Sequence, residues 1–242
     1  MKREHTNRIR FVLEDVLPAF LHDSPLFRHA ASLIWGKHIK ELATFRERAP
    51  FLSDEEYEDL YKNHPRVHEG SDNSEACIEA ICADIIGDSV CDIGCGTGYL
   101  LSRIREAHPE LARLTGVDFA IDDASALQGI EYVAAKIETL PFEDGEFDTV
   151  VCTHVIEHVL DYRKAISELR RIARRRVIIV VPREREYRYT FNPHFNFFPY
   201  THSFLRAMQP VPQAHACRDI QRDIYYCETL DAADAPRMVA AE

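Results

Sequence analysis

The residues best suited to chemistry stand together at Val90-Cys91-Asp92-Ile93-Gly94-Cys95-Gly96-Thr97-Gly98-Tyr99-Leu100. A short apolar run containing Asp92 meets glycines at alternate positions, and an amphipathic segment begins at Tyr99. Glycine lacks a Cβ and accepts positive φ, so a strand that turns here into a helix can bring bare backbone against a ligand. The helix N-terminus behind the turn adds unpaired N–H groups and partial positive charge, which suit a carboxylate or another anion. A dinucleotide fingerprint would need its third glycine at 99, where Tyr99 stands, and a phosphate loop would need Gly-Lys-Ser/Thr, which is absent. Cys91 and Cys95 have no second pair nearby, and Cys91 lies inside the strand run, so their spacing is not read as a metal site.

The pattern Asp92-x-Gly94-x-Gly96-x-Gly98 resembles the first motif of the class I S-adenosylmethionine (SAM)-dependent methyltransferases, small-molecule type. Three further stretches resemble that family in the right order. Gly116-Val117-Asp118 is similar to the end of its second strand, with a ribose-binding acidic residue. Leu140-Pro141-Phe142-Glu143-Asp144-Gly145-Glu146-Phe147-Asp148 is similar to its approach to the fourth strand. Val150 to His158 resembles the segment that closes the cofactor site.

The resemblance implies SAM as cofactor, S-adenosylhomocysteine as product, and no metal. It implies cofactor contacts at Asp92, Gly94, Cys95, Gly96, Gly98 and Asp118, with Phe119 beside the adenine. The family often has an aspartate after the third strand, but Lys136 takes that place and cannot accept a hydrogen bond. Backbone groups of Lys136 and Ile137, or Glu138, would read the adenine instead. His154 and His158 either touch cofactor or substrate or pack at the strand end. His154-x-x-Glu157-His158 also fits an inverted zinc-protease pattern, which needs both histidines on one helix face. Here His154 directly follows the β-branched run from Thr149 to Thr153, so zinc is not expected.

The stretch Tyr187-Arg188-Tyr189-Thr190-Phe191-Asn192-Pro193-His194-Phe195-Asn196-Phe197-Phe198 is too aromatic for a plain connector. It reads either as a pocket for a ring or sugar-like acceptor or as a loop packed under the amino-terminal helices. His194 is accordingly either a general base or a histidine packed among phenylalanines.

To position these groups, strands and helices must alternate. Strands are expected at 89–93, 114–118, 130–134, 148–153 and 177–181, and helices near 99–107 and 160–175. A helix near 201–208 and two further strands, 213–219 and 224–230, complete an α/β class I methyltransferase fold, a seven-stranded, mostly parallel sheet with helices on both faces. Residues 1–70 read as a helical extension or lid: an apolar face at Phe11, Val12, Val16, Leu17 and Phe20, and a helix over 24–48. A Ser53–Glu56 capping box then opens a short helix. Asp72 with Glu75 is expected to cap the next helix, and 71–242 form the SAM-binding domain.

The chain has 242 residues, 46% hydrophobic and 29% charged, and a net charge of −11. That balance argues against nucleic-acid or anionic-membrane partners. The basic cluster over 163–176 is read as a solvated helix face. No secretory signal is read at the amino end, no run is long enough to span a bilayer, and the seven scattered cysteines suggest reduced thiols in a cytoplasm. Nothing excludes a homo-oligomer. The expected activity is methyl transfer from SAM to a small-molecule or glycan-like acceptor, at oxygen or nitrogen. A SAM-binding regulatory subunit without catalysis is the alternative, and an NAD-dependent oxidoreductase a remote one.

Overall fold

In a computed structural model, the structure describes residues 17–27, 29, 45–53, 55–57, 71–121, 127, 129–187 and 193–230. The apolar face at Phe11, Val12 and Val16 and most of the expected 24–48 helix lie outside the described residues. The chain divides into two compact units, 1–69 with 184–199 and 70–183 with 200–242. The expected division at residue 70 kept the aromatic stretch with the second domain, whereas this clustering groups 184–199 with the first unit.

The second unit is built on β1 (Ser89–Ile93), β2 (Arg113–Asp118), β3 (Glu131–Ala134), β4 (Phe147–Thr153), β5 (Ala173–Pro182), β6 (His215–Ile220) and β7 (Asp223–Thr229). They form one sheet in the order β3-β2-β1-β4-β5-β7-β6. β1 to β5 are parallel neighbours, and β7 runs antiparallel to both β5 and β6. The helices are α1 (Glu75–Asp84), α2 (Tyr99–Ala107), α3 (Tyr162–Ile172) and α4 (Thr201–Ala207). β4 is buried along its whole length, as expected for a central parallel strand covered on both faces. Ile78 and Ile81 of α1 and Leu101 and Ile104 of α2 share one cluster with Val90, Val151 and Tyr225. Each such aliphatic side chain contributes about 1.5–3 kcal/mol through burial.

Local chemistry departs from the sequence expectations at two places. α1 is capped by Ser74, whose Oγ accepts the Cys77 N–H at 3.2 Å, rather than by Asp72. The residue before it, Asn73, instead donates its side chain to Thr153 Oγ1 at 2.9 Å. α3 ends at Ile172, and β5 starts at Ala173, well before the expected 177. Pairing wins over helical propensity here. Arg174 reaches Asp148 at 3.1 Å, and Arg176 donates to the Asp84 carbonyl at 2.6 Å.

The first unit is described in pieces. Helical turns span Ala19–His22 and Phe45–Arg48. Ser53 and Glu56 form the expected reciprocal capping box, with the Ser53 N–H on Glu56 Oε2 at 2.8 Å and the Glu56 N–H on Ser53 Oγ at 3.3 Å. Phe45 stacks near Phe195 with ring centres 4.9 Å apart, His22 lies 4.2 Å from Tyr187, and the Arg46 guanidinium sits 4.9 Å over Phe197. Tyr187, Phe195 and Phe197 thus pack on the amino-terminal turns.

Asp148 closes the opposite end of the sheet from the glycine turn. Its Oδ2 accepts from the Asp88 N–H, the Ser89 N–H and the Ser89 hydroxyl at 2.9–3.2 Å. Burial works to raise its pKa, but these donors and Arg174 outweigh that and hold it below the usual value. Replacing Asp148 with Ala strands those donors and should cost about 1–3 kcal/mol in urea melts at neutral pH. The native carboxylate's contribution is present above the ordinary Asp range and lost as acid protonates it. The gap between the two proteins should therefore shrink near pH 3 (roughly).

Candidate functional site

The expected cofactor residues converge at the carboxyl ends of β1, β2, β3 and β4. Register pairs Asp92 with Gly116 and with Val151, Ile93 with Val117 and with Cys152, and Asp118 with Ala134. In a parallel sheet this is the edge at which ligands bind.

The glycine turn is tied to β2. The Val117 carbonyl accepts both the Gly94 N–H, at 2.7 Å, and the Cys95 N–H, at 3.0 Å. The Gly96 N–H goes to Asp118 Oδ2 at 2.9 Å, and the Gly98 N–H to the Cys95 carbonyl at 2.9 Å. The turn's own amides at 94, 95, 96 and 98 are therefore engaged within the protein. The first intrahelical bond of α2 runs from Ser102 to Gly98, so anion binding falls to the N–H groups of the first helical turn.

Gly94 and Gly98 sit at φ +81° and +79°. A Cβ on Gly94 would lie 2.1 Å from Val155 Cγ2, and one on Gly98 would lie 2.3 Å from the Tyr132 hydroxyl. These two glycines are required by protein packing as well as by left-handed backbone, a reason that the spacing alone did not supply. Cys95 is buried, and its sulfur packs over Gly116, where a Cβ would lie 2.8 Å away.

Two carboxylates face the turn. Asp118, the last residue of β2, accepts the Gly96 N–H through Oδ2 and the Ala120 N–H through Oδ1, at 2.9 and 3.1 Å. Asp92 is 1% exposed, and its Oδ1 has no hydrogen-bond partner. Burial, and secondarily the charge of Asp118, pushes its pKa up to about 7. An orphaned carboxyl oxygen beside such a turn fits a ligand that brings a cation or several N–H donors, as the amino group of SAM does.

Phe119 follows β2 and is partly exposed, the state that a stacking face for adenine needs. Lys136 and Glu138 are half-buried, Ile137 is buried, and the Lys136 carbonyl accepts the Thr139 N–H at 3.1 Å in the turn after β3. His154 leaves β4 at φ +55°, and Ile156–His158 form a single 3-10 turn. The two histidines do not share an α-helical face. His154 Nδ1 lies 3.5 Å from Glu157 Oε1, and His158 Nε2 lies 4.0 Å from the same oxygen.

His194 belongs to the first unit. Its Nδ1 bonds Glu184 Oε2 at 2.5 Å, with both side chains buried, and its ring lies 6.4 Å from that of Phe197. A carboxylate only accepts, so Nδ1 carries the hydrogen and the lone pair of the neutral ring sits on Nε2. Sequence reasoning missed Glu184, Tyr132 and Val155. No spacing rule links position 184 to 194, 132 to 98, or 155 to 94.

Of the basic cluster expected to form a solvated face, Arg163, Lys164 and Arg174 are exposed, whereas Arg170, Arg171 and Arg175 are half-buried and Arg176 is buried. Arg170 holds the buried Glu228 through both oxygens at 2.7 Å. Arg171 bonds Glu168 and the carbonyls of Leu140 and Phe142, clamping the loop before β4 onto α3.

Two expectations follow. Gly98→Ala should disable the turn, and adding Tyr132→Phe should restore part of the folded stability by removing the atom struck. A residual cost of about 1–2 kcal/mol from left-handed backbone should remain, read in thermal melts. Asp92→Asn should stabilise the ligand-free protein by roughly 0.5–2 kcal/mol at pH 8. The penalty on a raised carboxyl is absent below its unfolded pKa and complete above its folded one, so the gain should vanish near pH 4 (roughly).

A family model described as a methyltransferase domain matches residues 91–181. A tRNA U34 carboxymethyltransferase of Campylobacter curvus is 35% identical over 92 residues, 35% of this chain and 30% of that one. A 2-phytyl-1,4-naphtoquinone methyltransferase of Trichormus variabilis is 29% identical over 96 residues, 36% of this chain and 42% of that one. A SAM-dependent methyltransferase of Thermotoga maritima shares the fold, with a TM-score of 0.51 at 19% identity over 64% of this chain and 88% of that one. The chain spans less than half the length of these curated relatives. Among the described residues no helix is long and apolar enough to cross a membrane. Residues 91–181 thus match a methyltransferase domain, carried on a seven-stranded sheet with the fold of the class I SAM-dependent methyltransferases.

Proposed function

We propose that the protein transfers the methyl group of SAM to the oxygen or nitrogen of a small-molecule or glycan-like acceptor. The observation that carries the cofactor half is the orphaned, buried Asp92 Oδ1 beside a turn tied to Asp118. Asp92 and the first turn of α2 would hold the amino acid part, Asp118 the ribose hydroxyls, and Phe119 with the 136–138 turn the adenine. When bound, SAM supplies a methyl carbon already activated by its sulfonium, so the protein chiefly aligns the acceptor.

An acceptor hydroxyl also needs a base. His194, its ring oriented by Glu184, is the residue we assign to take that proton at Nε2. Within the first unit, Phe195, Phe197 and the amino-terminal turns supply the kind of apolar surface that a ring-bearing acceptor needs. A second reading comes from the relatives, some of which are named for tRNA modification. The charge of −11 and the inward use of Arg170 and Arg171 favour the small acceptor.

Calorimetry should find SAM and S-adenosylhomocysteine binding and NAD not binding. Asp118→Ala should weaken SAM by about 1.5–3 kcal/mol. His194→Ala should lower turnover by about 10²–10⁴ while leaving SAM affinity intact. NAD binding, or unchanged SAM affinity in the Asp118 variant, would refute the cofactor reading. SAM binding without turnover on any small-molecule or tRNA panel would favour the non-catalytic subunit.

A further inference from the structure

His154 combines three features that no packing role at the end of β4 requires. Its backbone is left-handed, at φ +55°, which a histidine adopts only where its surroundings insist. Its N–H is fixed on the Val180 carbonyl at 2.9 Å. Its ring lies between two buried carboxylates, with Nδ1 3.5 Å from Glu157 Oε1 and Nε2 3.9 Å from Asp223 Oδ1. Glu157 and Asp223 are 1% and 3% exposed, and carboxylates so deeply buried call for a positive neighbour. An imidazolium at 154 supplies one to both.

The other groups around the ring point the same way. Asp72, ahead of α1, adds negative charge. Cys77 of α1 gives its thiol hydrogen to Asp223 Oδ2 at 3.6 Å. His158, in the same turn, faces Glu157 at 4.0 Å. Burial by itself would lower the His154 pKa, but Glu157, Asp223 and Asp72 outweigh it and raise it above 6.5. The next residue, Val155, leans directly on Gly94. The charged node is therefore one residue away from the glycine turn.

We propose that His154 is a positioning residue whose imidazolium pins the 154–158 turn against the glycine turn and so couples cofactor affinity to its own protonation. The proposal rests on SAM being the ligand of that turn. Below about pH 6.5 the ring is charged even when unfolded, and its contribution is complete. As pH rises through the raised folded value, the ring loses its proton and with it the positive charge that faces Glu157 and Asp223. Val155 then loses its support, and the site loosens.

The test measures S-adenosylhomocysteine affinity by calorimetry from about pH 6 to about pH 8.5, on the full chain, for the wild type, His154→Asn and Asp223→Asn. Asn is chosen at 154 because it tolerates left-handed backbone. Asp92 and the ligand's own amino group titrate in every protein, so the difference between wild type and His154→Asn isolates the imidazole. We expect wild-type affinity to fall relative to the variant by about tenfold for each unit by which binding moves the pKa. Asp223→Asn should shift the midpoint of that fall to lower pH. The His154 ring resonance of the ligand-free wild type should titrate above 6.5 by NMR. Parallel affinity curves for wild type and His154→Asn, or a ring titrating at or below 6.5, would overturn the proposal. No S-adenosylhomocysteine binding at any pH, with the ring still titrating high, would refute the cofactor reading and the coupling with it.

Discussion

One carbonyl oxygen, that of Val117, organises the functional end of this protein by accepting N–H groups from both Gly94 and Cys95. It locks the turn after β1 onto the end of β2. Asp118, the next residue, continues the clamp by taking the Gly96 N–H. With three consecutive amides held by one strand end, the turn has a single shape before any ligand arrives. Packing then leaves no room for side chains at 94 and 98, where Val155 and Tyr132 already stand. A site assembled this way carries its ordering cost at folding rather than at binding.

Charge follows a similar economy. A chain with net charge −11 uses arginines where carboxylates are buried. Arg170 meets Glu228, which also accepts the Tyr226 hydroxyl at 2.6 Å, and Arg174 meets Asp148. Arg171 draws the loop from Leu140 to Asp144 onto α3. These contacts lie around the far side of the sheet and its flanks. Asp92 stands apart from them, since its nearest charge is another carboxylate and one of its oxygens is unsatisfied. A group so disfavoured in the ligand-free protein marks where binding can recover free energy.

The histidines divide in the same terms. His194 bonds the buried Glu184 through Nδ1, which orients its ring. His154 lies between two carboxylates, the arrangement of a cation. Residue type alone does not distinguish these roles, because an imidazole near its ordinary pKa takes either state according to the charges placed around it.

What the sequence determined by itself is local. The glycines at 94, 96 and 98, the apolar runs of β1 and β4 and the amphipathic period of α2 fix a strand, a turn and a helix, because each rests on neighbours within a few residues. The alternation along 89–182, with the run of motifs, also made the parallel sheet legible, and with it the strand ends where those motifs fall. Tertiary structure decided the rest. Ser74 rather than Asp72 caps α1 because Asn73 is drawn to Thr153, eighty positions away. Ala173 to Arg176 become strand because β4 and β7 offer partners. Asp223 reaches His154 only because the sheet order places β7 beside β5, next to β4. Spacing in the chain encodes contacts between near neighbours, whereas a side chain's charge state depends on groups that only the folded sheet brings within a few ångströms.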